Sequence, residues 1–315
     1  MRIESTKKLV PSFLIGILMS SCATYTISEK SAFKATKYDI GLDSLELSDE
    51  PEHEKEKFLK IAEKIIDSAD LKIIEDEDIA LNRGYMKIND SVLVEYFCYL
   101  PGDYERTIIF FIGNQSRQTS YVKNLQQLSV ETNSKIFSWN YRGYGNSTGN
   151  SSFKTQFDDN EKIYSQLLGN NRDEELIFIG YSLGSVFSSK LASTEQPDKL
   201  ILLAPFSDIP GMIVNYKRQL LRGPKFFIRP FIDLKIKEDY VKDISNIDAI
   251  DKFKGDLLIV HSKDDDQLPY YMGKRLYKNS DSTNKKLITV RKGGHGAPLE
   301  DENWDKVIAW IKNGP

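Results

Sequence analysis

The stretch that decides the fold is IFIGYSLGSVFSSKLAS, residues 177–193. An apolar run over 177–179 meets Gly180, Tyr181, Ser182, Leu183 and Gly184, and a helix-forming segment follows at once. The run reads as a buried strand. The two glycines permit a sharp turn and let strand and helix approach closely, and the strained corner lifts the Ser182 hydroxyl clear of the backbone at a helix start. A five-residue G-x-S-x-G pattern also fits an ordinary glycine-rich strand-to-helix turn. Its weight therefore rests on whether the rest of the chain supplies partners for that hydroxyl.

Around this corner the chain alternates. TIIFFIG (107–113) is followed by the helical SYVKNLQQLSVET, SKIFSWN (134–140) by FDDNEKIYSQLLG, and KLILLAP (199–205) by a long irregular segment. DLLIVH (256–261) precedes PYYMGKRLYK, and KKLITV (285–290) precedes a glycine loop and DENWDKVIAWIK. Short, β-rich apolar runs separated by helical segments imply a mostly parallel sheet with helices on both faces. The earlier strand-like runs YMKI and SVLVEYFCYL suggest an antiparallel edge. In such a sheet ligands sit at the C-terminal ends of the strands, so the residues just past each strand carry the chemistry.

A serine hydroxyl needs a base to remove its proton. The chain has 3 histidines. His53 lies in the charged EPEHEKEK, where solvation explains it, and His261 ends a strand, where it can shape a turn. His295, in RKGGHGAP directly after a strand, has glycines on both sides that let its imidazole reach across the strand ends. It is the candidate base. The base in turn needs a carboxylate to fix its tautomer. HSKDDDQLP offers Asp264, Asp265 and Asp266, which can equally form a solvated turn or a weak cation site; Asp208, in APFSDIP, is a further candidate. The chain order Ser, Asp, His favours the triple-acid loop.

Together these features resemble the α/β-hydrolase superfamily over residues 85–313. NYRGYGNSTG (140–149) looks like the [DN]-x-R-G-x-G-x-S-x-G loop of its monoacylglycerol-lipase-like branch. In that branch the acid lies in G-x-x-D-x-x-[VI]-P, and SKDDDQLP (262–269) aligns Asp265 with it, Ser262 and Leu268 being departures. The resemblance implies a serine hydrolase of the carboxylic-ester hydrolase, lipase or thioesterase type. Ser182 would be nucleophile, His295 base and Asp265 the orienting acid, with a small-molecule acyl substrate and no cofactor or metal. It also implies an oxyanion hole of backbone N–H groups. One is that of Leu183; the other normally follows a His-Gly pair. Here the segment reads FFIGNQS, with Ile112 in place of that histidine, and Asn114 is the better candidate beside Gln115. Loss of the histidine is not expected to abolish the chemistry, though it leaves room for a looser loop. A non-catalytic binding protein that keeps the hydrolase frame is the rival reading, and Ile112 and Ser262 are the features in its favour.

The N-terminus differs from the rest. Arg2, Lys7 and Lys8 precede an apolar stretch over 9–19, then Ser20, Ser21 and Cys22. A basic region, a short apolar region and small residues read as a secretory signal. The apolar stretch is shorter than the ~20 residues a membrane-spanning helix needs. Cysteine directly after small residues resembles the lipobox of bacterial lipoproteins, with Met19 a departure. The resemblance implies a signal peptide over 1–21, acylation (palmitate or similar) at Cys22, and a cell-envelope protein anchored to a membrane. Residues 22–50, polar and mixed, are expected to be a tether, and 51–315 the hydrolase domain. Over 52–70 the apolar residues fall at helical spacing.

With Cys22 acylated, only Cys98 remains, in an apolar strand-like run with no basic neighbour nearby in sequence; a buried structural thiol is expected. The net charge of −3 gives no reason to expect a nucleic-acid partner. The segment 207–250 falls where the superfamily inserts a cap, and here it is short. Its Phe226, Phe227 and Phe231, mixed with Lys217, Arg218, Arg222, Lys225 and Arg229, fit an amphipathic lid facing acyl substrate. They fit equally a helix packing its apolar face on the core.

Overall fold

The computed structural model describes residues 23–29, 33–35, 79–168, 174–221 and 232–314. The expected signal peptide, Cys22, the helical stretch over 52–70 with His53, and the aromatic and basic residues over 222–231 lie outside the described residues. No helix among the described residues is long and apolar enough to cross a membrane.

An 8-stranded sheet carries the fold. Its strands are β2 (Ile79–Asn89), β3 (Val92–Pro101), β4 (Arg106–Phe111), β5 (Ser134–Trp139), β6 (Glu175–Tyr181), β7 (Lys199–Leu203), β9 (Asp256–Ser262) and β10 (Lys285–Val290). They lie in the order β10-β9-β7-β6-β4-β5-β3-β2. Strands β4 to β7, β9 and β10 pair in parallel, and β2 and β3 form the antiparallel edge that their hairpin-like sequences suggest. The central strands RTIIFF, ELIFIGY, KLILL and DLLIVHS are almost continuously buried, as strands covered on both faces must be. Edge strand β10 alternates instead between half-buried and exposed residues.

Seven α-helices cover the sheet: α1 (Val122–Thr132), α2 (Phe153–Leu168), α3 (Gly184–Glu195), α4 (Ile209–Leu220), α5 (Asn246–Lys252), α6 (Tyr271–Asn279) and α7 (Asp301–Asn313) are those of the described residues. Helices α1 and α7 pack together, while α2, α3, α5 and α6 pack in succession, which gives the two helical layers. Cys98, on β3, is buried, and burial pushes its thiol up to about 11, with Lys135 opposing weakly. It is the inert thiol that its sequence suggests.

The N-terminal segment departs from the expected tether. Ala23–Ile27 forms strand β1, paired in parallel with β8 (Ile232–Ile236) of the cap, residue 23 against 232 through 27 against 236. The sequence ATYTI alternates apolar residues with threonine. Its partner lies some two hundred positions away, so nothing local in the sequence betrays the pairing.

Candidate active site

Four loops meet at the C-terminal ends of the parallel strands: 112–116 after β4, the corner after β6, 263–269 after β9 and 291–296 after β10. Ser182 holds the corner with φ 52°, a left-handed conformation costly to any residue with a Cβ. Its N–H donates to the Leu203 carbonyl at 2.9 Å, which ties the corner to β7. A Cβ on Gly184 would stand 2.1 Å from the Phe111 carbonyl oxygen, and one on Gly180 2.1 Å from Ser188 Oγ. The glycines are therefore needed for close approach: only without side chains there can α3 start against β4 and hold the serine at its N-terminus.

Sequence reasoning singles out Ser182, His295 and Asp265, and the structure brings all three together. Asp265 Oδ2 accepts from His295 Nδ1 at 2.8 Å, and His295 Nε2 lies 2.8 Å from Ser182 Oγ. With the proton on Nδ1 facing the carboxylate, the Nε2 lone pair faces the hydroxyl, as proton abstraction requires. Burial alone would raise the Asp265 pKa. Hydrogen bonds from His261 and His295, the charge of His295 and the Leu268 N–H outweigh it and hold the carboxyl well below the usual carboxylate range. Its other oxygen, Oδ1, accepts from the N–H groups of Gln267 and Leu268 at 2.9 and 2.8 Å.

The neighbouring acids have different work. Asp264 accepts from the N–H of Gly294 at 2.9 Å and of Gly293 at 3.3 Å and from Ser262 Oγ at 2.5 Å, so it anchors the histidine loop. Those donors, Ser262 first, lower its pKa. Gly293 and Gly294 adopt φ 119° and 64° there. Asp266 is exposed. Asp208 caps α4 through the Gly211 N–H and pairs with Arg275 at 2.6 Å, a structural role.

His261, which the sequence suggests as a turn former, is fully buried against the acid. Its Nε2 lies 2.7 Å from the Leu268 carbonyl and 3.3 Å from Asp265 Oδ2, so the proton sits on Nε2, shared between them. Nδ1 is buried without a partner among the described residues and lies 2.5 Å from where a Cβ on Gly273 would stand. Two imidazoles thus flank one carboxylate. The second was hidden in the sequence because its contact exists only once the loop folds back over β9.

The loop after β4 is held firmly without the histidine. Tyr141 OH donates to the Ile112 carbonyl at 2.8 Å and Tyr144 OH to Asn114 Oδ1 at 2.7 Å. Tyr121 OH accepts from the Gly113 N–H at 3.0 Å and lies 2.7 Å from Ser116 Oγ, which donates to the Gly113 carbonyl at 2.7 Å. Burial pushes the Tyr121 hydroxyl up to about 12, with Ser116 and Gly113 opposing, so it stays a proton-bearing donor. Three tyrosines replace the missing histidine as the brace, two of them from the NYRGYG loop. That loop is itself fixed by Arg142, which makes bonds of 2.7 and 2.6 Å to Asp159, and by Asn140 and Asn146 on the buried Glu95. Asn114 and Leu183 both line the cavity beside Ser182. Leu183 stands at the start of α3, where first-turn N–H groups have no intrahelical acceptor and the helix dipole favours negative charge.

A cavity of about 560 Å³ opens over Ser182 and His295, a size typical of small-molecule sites. Its apolar part is built from Phe206, Met212, Ile213, Ile236, Val241 and Leu268. Helix α4 of the cap therefore roofs the cavity, and Asn215 Nδ2 ties it to the acid loop through the Gln267 carbonyl at 2.7 Å.

The family described as serine aminopeptidase, S33, matches residues 103–246, a span that contains Ser182 and ends before Asp265 and His295. Among curated relatives, the lysophosphatidylserine lipase ABHD12 of Xenopus tropicalis is 25% identical over 54% of this chain and 45% of its own length. The uncharacterized protein YqkD of Bacillus subtilis is 28% identical over 68% of each. The chain spans about half the length of several of the curated relatives it matches. Among solved structures, the Pyrococcus furiosus esterase Pf2001 superposes with TM-score 0.57 at 15% identity, covering 74% of this chain and 92% of that one. A hydrolase from Thermoplasma acidophilum superposes with TM-score 0.54 at 15% identity, covering 75% and 99%. With its sheet order, its strand-end corner and these likenesses, the chain has the α/β-hydrolase fold.

Proposed function

We propose that this protein is a serine hydrolase that cleaves an ester or related acyl bond through an acyl-enzyme. The observation that carries the reading is the continuous relay Asp265–His295–Ser182, two contacts of 2.8 Å each, opening into a largely apolar cavity. Ser182 Oγ attacks the acyl carbonyl carbon while its proton passes to His295 Nε2. Asp265 holds the resulting imidazolium. The N–H groups of Leu183 and Asn114 receive the negative oxygen, an interaction worth several kcal/mol when donors are fixed in advance. Collapse expels the alcohol, which takes the proton from Nε2. Water then attacks the acyl-serine, gives its proton to the same nitrogen, and releases the acid and the free hydroxyl. Lipases and esterases among the similar proteins favour an ester over a peptide substrate.

We further propose that Cys22 is acylated and that the protein works as a lipoprotein of a bacterial cell envelope. Intact-mass analysis of the membrane fraction tests this: wild type should carry the acyl mass and Cys22→Ala should not. Ser182→Ala tests the chemistry. It should abolish both ester hydrolysis and labelling by a fluorophosphonate, a reagent that requires an activated serine. Hydrolysis at the wild-type rate in that variant would refute the reading, and absence of labelling in wild type would favour a binding protein built on the same frame.

A further inference from the structure

We propose that the N-terminal arm, of which residues 23–29 and 33–35 are described, is part of the substrate-binding apparatus and sets how long an acyl chain the cavity accepts. This rests on the reading of Ser182 as an acyl-transfer nucleophile. Four arm residues, Ile27, Ser28, Glu29 and Lys34, line the same cavity as Ser182 and His295. Ile27, opposite Ile236 in the β1–β8 ladder, lines the cavity together with Ile236 and Val241, so arm and cap both supply apolar wall against which an acyl chain can lie.

The arm is fastened at several points along its length. Strand β1 pairs with β8, and the Lys237 N–H extends the ladder to the Ile27 carbonyl at 2.8 Å. The Glu238 carboxylate then takes Ser28 Oγ on one oxygen at 2.8 Å and the Glu29 N–H on the other at 2.7 Å. Glu29 reciprocates, its Oε2 accepting from Tyr240 OH and from the Phe153 N–H at 3.1 Å. Phe33 meets Phe153 edge-on with centroids 5.0 Å apart and stacks over Phe187 at 6.5 Å. Finally, the Lys34 N–H donates to Asn114 Oδ1 at 2.9 Å. That oxygen also receives Tyr144 OH, so the arm adds a further brace to the oxyanion loop.

A two-stranded ribbon has little stability of its own. The arm therefore depends on the Glu238 clasp and the Phe33 contacts, which makes it separable from the sheet. Loosening it should uncover the distal part of a long acyl chain and leave a short one seated. The relay residues follow β6, β9 and β10, which belong to the large sheet, whereas the arm's strand pairs with β8 in a separate one.

The test compares p-nitrophenyl dodecanoate with p-nitrophenyl butyrate, using the full chain. Combining Phe33→Ala with Glu238→Gln should lower the ratio of kcat/KM for the long ester to that for the short ester. The expected drop is about tenfold, the effect of uncovering roughly two methylenes. Ile27→Trp, which fills the same wall without disturbing the clasp, should lower the ratio as well by blocking the distal end. Fluorophosphonate labelling of Ser182 in each variant shows that the nucleophile is still assembled. Ratios within about twofold of wild type in both labelled variants would overturn the arm proposal alone. A wild-type protein that neither labels nor hydrolyses either ester would remove the underlying reading and the arm proposal with it.

Discussion

Replacing Asp265 by asparagine changes one oxygen to an amide nitrogen, and the structure dictates where that nitrogen must go. Oδ1 accepts from two backbone N–H groups at 2.9 and 2.8 Å. An NH₂ in that seat would face two donors, so the amide oxygen takes it. The NH₂ is forced into the Oδ2 seat, 2.8 Å from His295 Nδ1. To meet a donor there, His295 must present a lone pair on Nδ1 and move its proton to Nε2. Nε2–H then points at Ser182 Oγ and cannot accept its proton. The same NH₂ also meets the His261 Nε2–H at 3.3 Å, an unfavourable contact that pins the asparagine no better than the aspartate was pinned. Wrong-tautomer substitutions in serine relays cost about 10⁴-fold in kcat, roughly 5.5 kcal/mol of barrier. Asp265→Asn should therefore lower kcat on p-nitrophenyl butyrate by about 10⁴-fold with KM little changed, and slow fluorophosphonate labelling in proportion. Steady-state kinetics and gel-based labelling measure both. A variant that keeps its fold and retains more than about a tenth of wild-type kcat would refute the assignment of Asp265 as the orienting acid.

Other expectations follow from the same coordinates. Gly184→Ala sets a methyl group 2.1 Å from a backbone oxygen that cannot swing aside, so chemical denaturation should show a loss of about 1–3 kcal/mol or more. Tyr144→Phe removes one of the bonds that hold Asn114 and should lower kcat by about 3- to 10-fold, with KM less affected, in ester kinetics. The lowered pKa of Asp265 makes its ionised form a stabiliser of the folded state. That contribution is complete above the unfolded value of about 4 and is lost as pH falls toward the lower folded value. The Tm advantage of wild type over Asp265→Asn should thus be constant near neutrality and shrink in acid, as thermal melts across pH would record.

The parts of the fold legible in sequence are those whose partners need no distant information. Strand β6 with its corner, the glycine loop around His295 and the buried runs of β4, β7 and β9 each announce themselves within about ten residues. Even Asp265 separates from its neighbours once the loop is aligned on Pro269. What stayed hidden is contact between remote or individually bland residues. Ser28 and Glu238 are 210 positions apart, and nothing in ATYTI or IDLKI says that each seeks the other. Tyr121, Tyr141 and Tyr144 look like core aromatics, and only the coordinates show their hydroxyls converging on the loop whose histidine is missing. The same holds for His261, whose closeness to the acid depends on a backbone reversal.

The placement of the three relay residues on β6, β9 and β10 also bears on how the protein comes to life. His295 stands 113 positions after Ser182 and 30 after Asp265, and β7 must dock between β6 and β9 before the set can close. Such long-range parallel pairing is slow to form compared with helices. On refolding from denaturant, circular dichroism should recover ahead of enzymatic turnover. During synthesis the serine emerges unarmed and remains so until His295, 113 positions later, has followed it, which spares the cell a reactive alcohol on a half-made chain.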